Sequence, residues 1–182
     1  MKISIIASTN PNFQIFANPI YFILRSFIDT QYPENSCEWV AKIHCFKSVN
    51  DAVTQALAPN PDVVLLSAFI FNAGETKAII QEIRNRDVKV KIVVGGPDVN
   101  ARQVEQNWIT WPTIDAVIYG DGEVAFLELV KRWEKTQQIR AGLNCATPDD
   151  VGFYQRFRWE DWKPYPVYGG ALCADWLEAN KL

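Results

Sequence analysis

Short apolar runs alternate with helical patterns along residues 1–136, and this alternation constrains the fold more than any other feature of the chain. Each run is rich in β-branched or other apolar residues and has the length of a strand, and a segment with helical periodicity follows it. Parallel strands need a crossover between them, usually a helix, so the alternation predicts a parallel sheet covered on both faces. The predicted strands are Lys2 to Ala7, Trp39 to Phe46, Asp62 to Phe71, Lys89 to Val94 and Ala116 to Tyr119.

The segments between these strands carry helix signals. Ser48 has the side chain and the position of an N-cap, and Asn18-Pro19 opens another helix. The fold class predicted from strands and helices together is a three-layer α/β sandwich, Rossmann-like or flavodoxin-like, with a five-stranded parallel sheet. The predicted helices are Pro19 to about Gln31, Val49 to Leu57, Glu75 to Asn85, Ala101 to Trp108 and Glu123 to Lys135.

The alternation ends near Gln137, and the chain divides there into two regions. Residues 1–136 are expected to form one Rossmann-like domain, and residues 137–182 an irregular, aromatic-rich C-terminal extension. Gln138 to Asp150 is expected to be a loop. Beyond it the extension includes Trp159, Trp162 and Trp176. We expect this segment to pack either on the sheet domain or on a partner.

Composition excludes several classes of function. The 182 residues carry 18 Lys+Arg against 21 Asp+Glu, a net charge of −3, whereas nucleic-acid binding needs a clustered basic face. No apolar run of membrane-spanning length and no signal-peptide pattern is present in the sequence. Free thiols in a cytoplasmic protein are therefore the expected state of the four cysteines, Cys37, Cys45, Cys145 and Cys173.

Ligands of open parallel sheets bind beyond the carboxyl ends of the strands, so the loops that follow each strand are informative. The loop after the first strand, Ser8 to Asn18, contains no glycine, which excludes a dinucleotide fingerprint and a phosphate-binding P-loop there. The third strand ends without a phosphoacceptor carboxylate. His44, the one histidine, is predicted inside the second strand, so neither a catalytic triad nor a zinc site can be assembled.

Small residues follow the first, third and fourth strands. Ser67-Ala68 and Gly95-Gly96 lie at predicted neighbouring strand ends, where small side chains would leave room for a flat or elongated ligand. The alternative interpretation is that Gly95-Gly96 only makes a tight turn before Pro97. The long first loop and the turn Gly120-Asp121-Gly122-Glu123 favour the ligand interpretation.

The motifs Lys91-Ile92-Val93-Val94-Gly95-Gly96-Pro97-Asp98 and Asp115-Ala116-Val117-Ile118-Tyr119-Gly120-Asp121-Gly122-Glu123, each followed by a predicted helix, resemble those of one known family. Together with Pro61 to Ser67 and Phe71-Asn72, they look like the N-terminal cobalamin-binding domain of cobalamin-dependent radical S-adenosylmethionine (SAM) enzymes. The segments Pro164 to Leu172 and Trp176 to Asn180 are similar to the connector that leads into the catalytic barrel of that family.

The resemblance implies cobalamin as the ligand. Ser67, Gly95, Gly96 and Pro97 would line the channel of the nucleotide tail, while Gly120, Gly122 and Glu123 would border the ring. No histidine follows the first strand, so no histidine ligand to cobalt is expected. The residues implied in cofactor binding are Ser8, Asn10, Pro11, Phe13, Ser67, Phe69, Asn72, Gly95, Gly96, Pro97, Gly120, Gly122 and Glu123.

In the family, a C-x-x-x-C-x-x-C motif holds the iron–sulfur cluster that cleaves SAM, and this sequence has no such motif. We therefore expect no iron–sulfur cluster in this chain, an end before the radical SAM barrel, and no complete catalyst without a separate radical SAM domain. Two alternatives remain open: a ligand-free interaction module that binds a protein through its Trp-rich tail, and a module for another tetrapyrrole or a flavin. Occupancy of the site discriminates among them, because large side chains such as Phe69, Phe71 or Trp111 filling it would exclude a corrin ring.

Overall fold

The computed structural model describes residues 1–7, 20–44, 46–69, 71–87, 89–96, 98–99, 113–119, 122–139 and 142–145. The helix predicted from Ala101 to Trp108 and the aromatic tail beyond residue 145 lie outside the described residues. None of the described helices is long and apolar enough to cross a membrane.

The described strands form one parallel sheet in the order β2-β1-β3-β4-β5-β6. Helices α1 and α4 pack on one face of the sheet, and helices α2 and α3 pack on the other. This arrangement confirms the predicted three-layer α/β fold. The strands are β1 (Lys2–Ile6), β2 (Glu38–Ile43), β3 (Val63–Ser67), β4 (Lys91–Gly95), β5 (Ala116–Tyr119) and β6 (Gly142–Cys145), and the helices are α1 (Ile20–Gln31), α2 (Val49–Leu57), α3 (Ala73–Arg86) and α4 (Gly122–Thr136).

Burial and helix capping explain why these segments form strands and helices. All five residues of β3 are buried, as expected for a strand with helices on both faces. Helix α2 begins where predicted, because the Ser48 hydroxyl accepts a hydrogen bond from the Asp51 amide. Helix α4 buries a broad apolar face against the sheet, with Phe126 and Trp133 among its buried residues.

The structure corrects three predicted boundaries. Strand β3 ends at Ser67 rather than Phe71, because a turn closes between Phe69 and Asn72. Strand β2 ends at Ile43, so His44 lies just beyond the strand rather than inside it. Gly142–Cys145, predicted as loop, forms β6 and pairs in parallel with β5. That short segment lacks a run of β-branched residues, so its strand state comes from pairing with β5 rather than from its own composition.

Strand order defines where a ligand can enter. The chain passes from β1 to β2 on one side and then crosses to β3 on the other side of β1. The connections after β1 and β3 therefore diverge to opposite faces of the sheet, which opens a crevice at the carboxyl ends of these two strands. We call this side of the sheet the carboxyl edge and the opposite side the amino edge.

At the amino edge, charged side chains form ion pairs and hydrogen bonds with other groups of the protein. Asp115 forms ion pairs with Arg84 and Lys91 and accepts a hydrogen bond from the Ile92 amide. The Arg84 guanidinium also donates to the Thr113 and Val90 carbonyls, at 2.8 and 2.6 Å. On the other face, Glu134 accepts hydrogen bonds from the Tyr32 hydroxyl and the Ser36 amide and hydroxyl. These contacts tie the ends of α1, α3 and α4 to the sheet.

Candidate functional site

The structure brings the described members of the predicted site together at the carboxyl edge. Ser67 ends β3, Gly95 and Gly96 end β4, and Gly122 and Glu123 begin α4 after β5. Phe69 and Asn72 lie in the turn between β3 and α3. The other predicted members lie outside the described residues: Ser8, Asn10, Pro11, Phe13, Pro97 and Gly120.

The ends of β3 and β4 are in direct contact at this edge. The Ala68 amide donates to the Gly95 carbonyl at 2.7 Å, and the Asp98 amide donates to the Ala68 carbonyl at 3.0 Å. Gly96 has φ +111°, and a Cβ at this position would lie 2.5 Å from the Ala68 carbonyl oxygen. Glycine is required at this position because the space its side chain would occupy is filled by the backbone of Ala68.

Two further glycines converge on one side chain of β5. A Cβ on Gly95 would lie 3.5 Å from Ile118 Cβ, and a Cβ on Gly122 would lie 3.3 Å from Ile118 Cγ2. The start of α4 therefore sits close to the carboxyl ends of β4 and β5. Glu123, in the first turn of that helix, is half-buried at the same edge.

Phe71 lies at the carboxyl edge, in a position that the sequence pattern predicts incorrectly. Among the described residues it is the one large apolar side chain that is exposed, at 53%. Its ring stacks on Phe69, with centroids 5.1 Å apart and planes 16° from parallel. The sequence pattern predicts that β3 continues through Phe71, which would bury this side chain. The signal that could have found it is Ser67-Ala68, where the β-branched and leucine run stops, followed by Asn72 at the start of a helix.

His44 is the second side chain whose position changes the interpretation of this edge. It follows β2 directly and hydrogen bonds to the backbone of Ala7, at the end of β1. Its Nδ1 atom is buried and has no hydrogen-bond partner in the described part of the chain. Burial lowers the pKa of His44 to about 4, and the nearby Lys42 ammonium adds to the shift. The imidazole is therefore neutral at pH 7.

The lowered pKa makes a testable prediction about pH. Because the folded pKa of about 4 lies below the ordinary value of 6.5, the unfolded chain binds the proton first. The contribution of His44 to stability is therefore complete above about pH 6.5 and is lost as the pH falls towards 4. The ring signals of this single histidine in a proton NMR titration are expected to stay constant from pH 8 to pH 5. His44→Gln should lose less stability than wild type over the acid range. A midpoint near 6.5 in the folded protein would contradict the burial.

The chemistry available at the described carboxyl edge is that of a binding site. It offers an exposed aromatic ring and backbone close to the surface at Gly95 and Gly96. The described residues contain no group of three or more His, Cys, Asp or Glu side chains that could hold a metal ion. The exposed phenyl ring could contact the flat apolar part of a ligand.

Comparisons with known proteins identify a family and several relatives. The family model described as the B12 binding domain matches residues 39–130, about half of the chain. The chain is 34% identical over 70 residues to the cobalamin-dependent radical SAM methyltransferase TokK of Streptomyces tokunonensis, which covers 38% of this chain and 10% of that protein. It is 31% identical over 71 residues to the 2-(S-pantetheinyl)-carbapenam-3-carboxylate methyltransferase of Streptantibioticus cattleyicolor, 39% of this chain and 10% of that protein.

A third relative is an uncharacterized methyltransferase of Pyrococcus horikoshii, 30% identical over 87 residues, or 48% of this chain and 19% of that protein. The matched segment thus spans between a tenth and a fifth of the length of these curated relatives. The matched family region includes β2 to β5 and most of α4, and so it includes the turn from Phe69 to Asn72 and the glycines after β4.

Proposed function

Because this chain belongs to the B12-binding domain family, we propose that it binds cobalamin at the carboxyl edge of its sheet. We further propose that it holds the cofactor for a radical SAM methyltransferase, the class that the name of the Streptomyces tokunonensis relative gives. The 182 residues contain no C-x-x-x-C-x-x-C motif. The iron–sulfur cluster and the cleavage of SAM are therefore assigned to polypeptide outside these residues.

The observation that carries the proposal is the exposed, stacked Phe71 ring beside the crevice between β1 and β3. The stacked rings of Phe69 and Phe71 present a flat apolar surface, and a corrin has a broad apolar face that could cover it. The amino edge offers no comparable surface among the described residues, because its charged groups are paired with one another. Among the described residues, the exposed apolar surface that the proposal requires therefore lies at the carboxyl edge and not at the amino edge.

The described residues fit the proposed ligand in chemical terms. Phe69 and Phe71 would meet the apolar ring, and Ser67, Gly95 and Gly96 would border the nucleotide tail. Glu123 can accept hydrogen bonds from amide side chains of a corrin.

Bound cobalamin would supply a cobalt centre that carries a methyl group, and the protein would supply position and surroundings. Phe71 would shield one part of the ring from water, and the rigid backbone around Gly96 would fix the distance between the ends of β3 and β4. We propose no histidine ligand to cobalt, because no histidine follows the first strand, where the family resemblance would place one.

Retention of cobalamin on gel filtration tests this proposal. The purified chain is mixed with hydroxocobalamin or methylcobalamin and separated from free ligand, and the visible spectrum of the protein peak is recorded. We expect about one equivalent of corrin, and we expect His44→Gln to leave the spectrum of the bound corrin unchanged. A colourless protein peak with a folded circular-dichroism spectrum would contradict the proposal and favour the interaction module. Retention of flavin or haem instead would favour the other flat ligands.

A further inference from the structure

The turn between β3 and α3 is held by one buried amide. Asn72 is only 5% exposed, although it precedes a surface helix and stands beside the exposed Phe71. Its side-chain oxygen accepts a hydrogen bond from the Phe69 amide at 2.6 Å and another from the Thr76 hydroxyl at 3.3 Å. Its side-chain nitrogen donates to the Ser67 carbonyl at 3.2 Å. One side chain therefore connects the end of β3, the turn and the first turn of α3.

The backbone of Asn72 closes the same turn. Its amide donates to the Phe69 carbonyl at 3.0 Å, and its carbonyl accepts from the Thr76 amide at 2.8 Å. Asn72 occupies the N-cap position of α3, yet its side chain accepts no backbone hydrogen bond from the helix. The side chain turns back towards β3 instead. In this orientation the side chain does not cap the helix. It stabilises instead the turn that carries the stacked rings of Phe69 and Phe71.

The hydrogen-bonding capacity of Asn72 is used inside the protein. An amide oxygen accepts two hydrogen bonds, and both acceptor positions are occupied by the Phe69 amide and the Thr76 hydroxyl. A buried oxygen with two donors cannot accept a third from a ligand without losing one of them. That Asn72 binds the cofactor directly stays a prediction, and these contacts support a second role for its side chain in the turn.

We infer that Asn72 is a positioning residue, which holds the turn from Phe69 to Asn72 so that the Phe71 ring is presented to the corrin face. This inference rests on the proposed function. Without the amide oxygen, the Phe69 N–H would lose its partner, and an unpaired, partly buried N–H is unfavourable. The chain is expected to relieve this cost by opening the turn, which separates the two rings.

Asn72→Ala tests the inference against a matched control. Ser4→Ala removes a buried hydrogen bond of similar kind, from the Ser4 hydroxyl to the Ala56 carbonyl at 2.7 Å, at a distance from the turn. Each variant is measured in two ways, by its Kd for hydroxocobalamin and by nuclear Overhauser contacts between the rings of Phe69 and Phe71 without ligand. We expect Asn72→Ala to lose the ring contacts and to bind about tenfold more weakly. Ser4→Ala should keep both properties while losing comparable stability.

Asn72→Asp keeps the test decisive if the alanine variant does not fold. Its carboxylate retains an acceptor for the Phe69 amide but loses the donor to the Ser67 carbonyl, so we expect an affinity between those of wild type and Asn72→Ala. Wild-type affinity in either variant, or an equal loss in Ser4→Ala, would overturn the inference. If the wild-type chain binds no cobalamin, the proposed function fails, and the ring contacts alone decide whether Asn72 positions the turn.

Discussion

Replacing Gly96 with alanine is expected to cost at least about 3 kcal/mol of folding free energy, the largest effect of any single methyl group at the carboxyl edge. The residue has φ +111°, where side chains other than hydrogen are strained. The added Cβ would also lie 2.5 Å from the Ala68 carbonyl oxygen and 2.9 Å from its nitrogen, both backbone atoms that cannot rotate away. Relief requires the ends of β3 and β4 to separate, which breaks the hydrogen bond from the Ala68 amide to the Gly95 carbonyl.

Gly95→Ala is the matched control for this prediction. A Cβ at Gly95 would be in ordinary contact with Ile118, at 3.5 Å from Cβ and 3.6 Å from the carbonyl oxygen. We expect this variant to lose less than about 1 kcal/mol. Urea denaturation of the two variants measures the difference directly. Equal stabilities would show that Gly96 is not required for the close approach of the two strands.

Phe71→Ala is expected to weaken cobalamin binding about 30-fold while lowering the unfolding free energy by less than about 1 kcal/mol. We expect a large effect on affinity and a small effect on stability, because a ring that is 53% exposed contributes little to the core. In the complex the same ring would be covered by the corrin, and truncation of a buried aromatic contact typically costs binding energy of this order. The measurement is a titration with hydroxocobalamin followed by visible absorption.

Phe71→Trp is the control, because it keeps a flat apolar surface at the same place. We expect its affinity to lie within about threefold of wild type. If Phe71→Ala binds cobalamin as tightly as wild type, the exposed ring serves another purpose and the corrin is bound elsewhere. A large loss of stability in Phe71→Ala would show that the ring is part of the core, as the sequence pattern had indicated.

The fold could be predicted from the sequence because its determining signals are local. Apolar runs and helix signals such as Ser48 recur along the chain, so an error at the boundary of one strand or helix does not change the predicted topology. The end of β3 could not be predicted in this way. Ala68 and Phe69 continue the apolar run, and a turn of apolar residues looks like strand to any pattern based on hydrophobicity. The hydrogen bonds of Asn72 show that the chain turns there, and in the sequence only the weak signal of Ser67-Ala68 followed by Asn72 indicates this turn.

The candidate site stays a prediction, and it rests on local signals of the same kind. The glycines and small residues after each strand indicated the carboxyl edge, and the family match confirms that the chain is a B12-binding domain. The sequence pattern could not predict the direction in which a side chain points. His44 was assigned to a strand interior, whereas it lies beyond the end of β2 beside Ala7. The sequence predicts that Asn72 binds the ligand, and the structure adds that its side-chain nitrogen donates to the Ser67 carbonyl.

A residue-by-residue map of cobalamin binding tests the central claim most directly. Amide resonances of the 15N-labelled chain are recorded with and without one equivalent of methylcobalamin, which is diamagnetic. The claim predicts shifts at the carboxyl edge, at Phe69, Asn72, Gly96 and Gly122, with unchanged resonances at the amino edge, at Ser36 and Ile92. Shifts concentrated at the amino edge, or an unchanged spectrum in the presence of excess methylcobalamin, would contradict it.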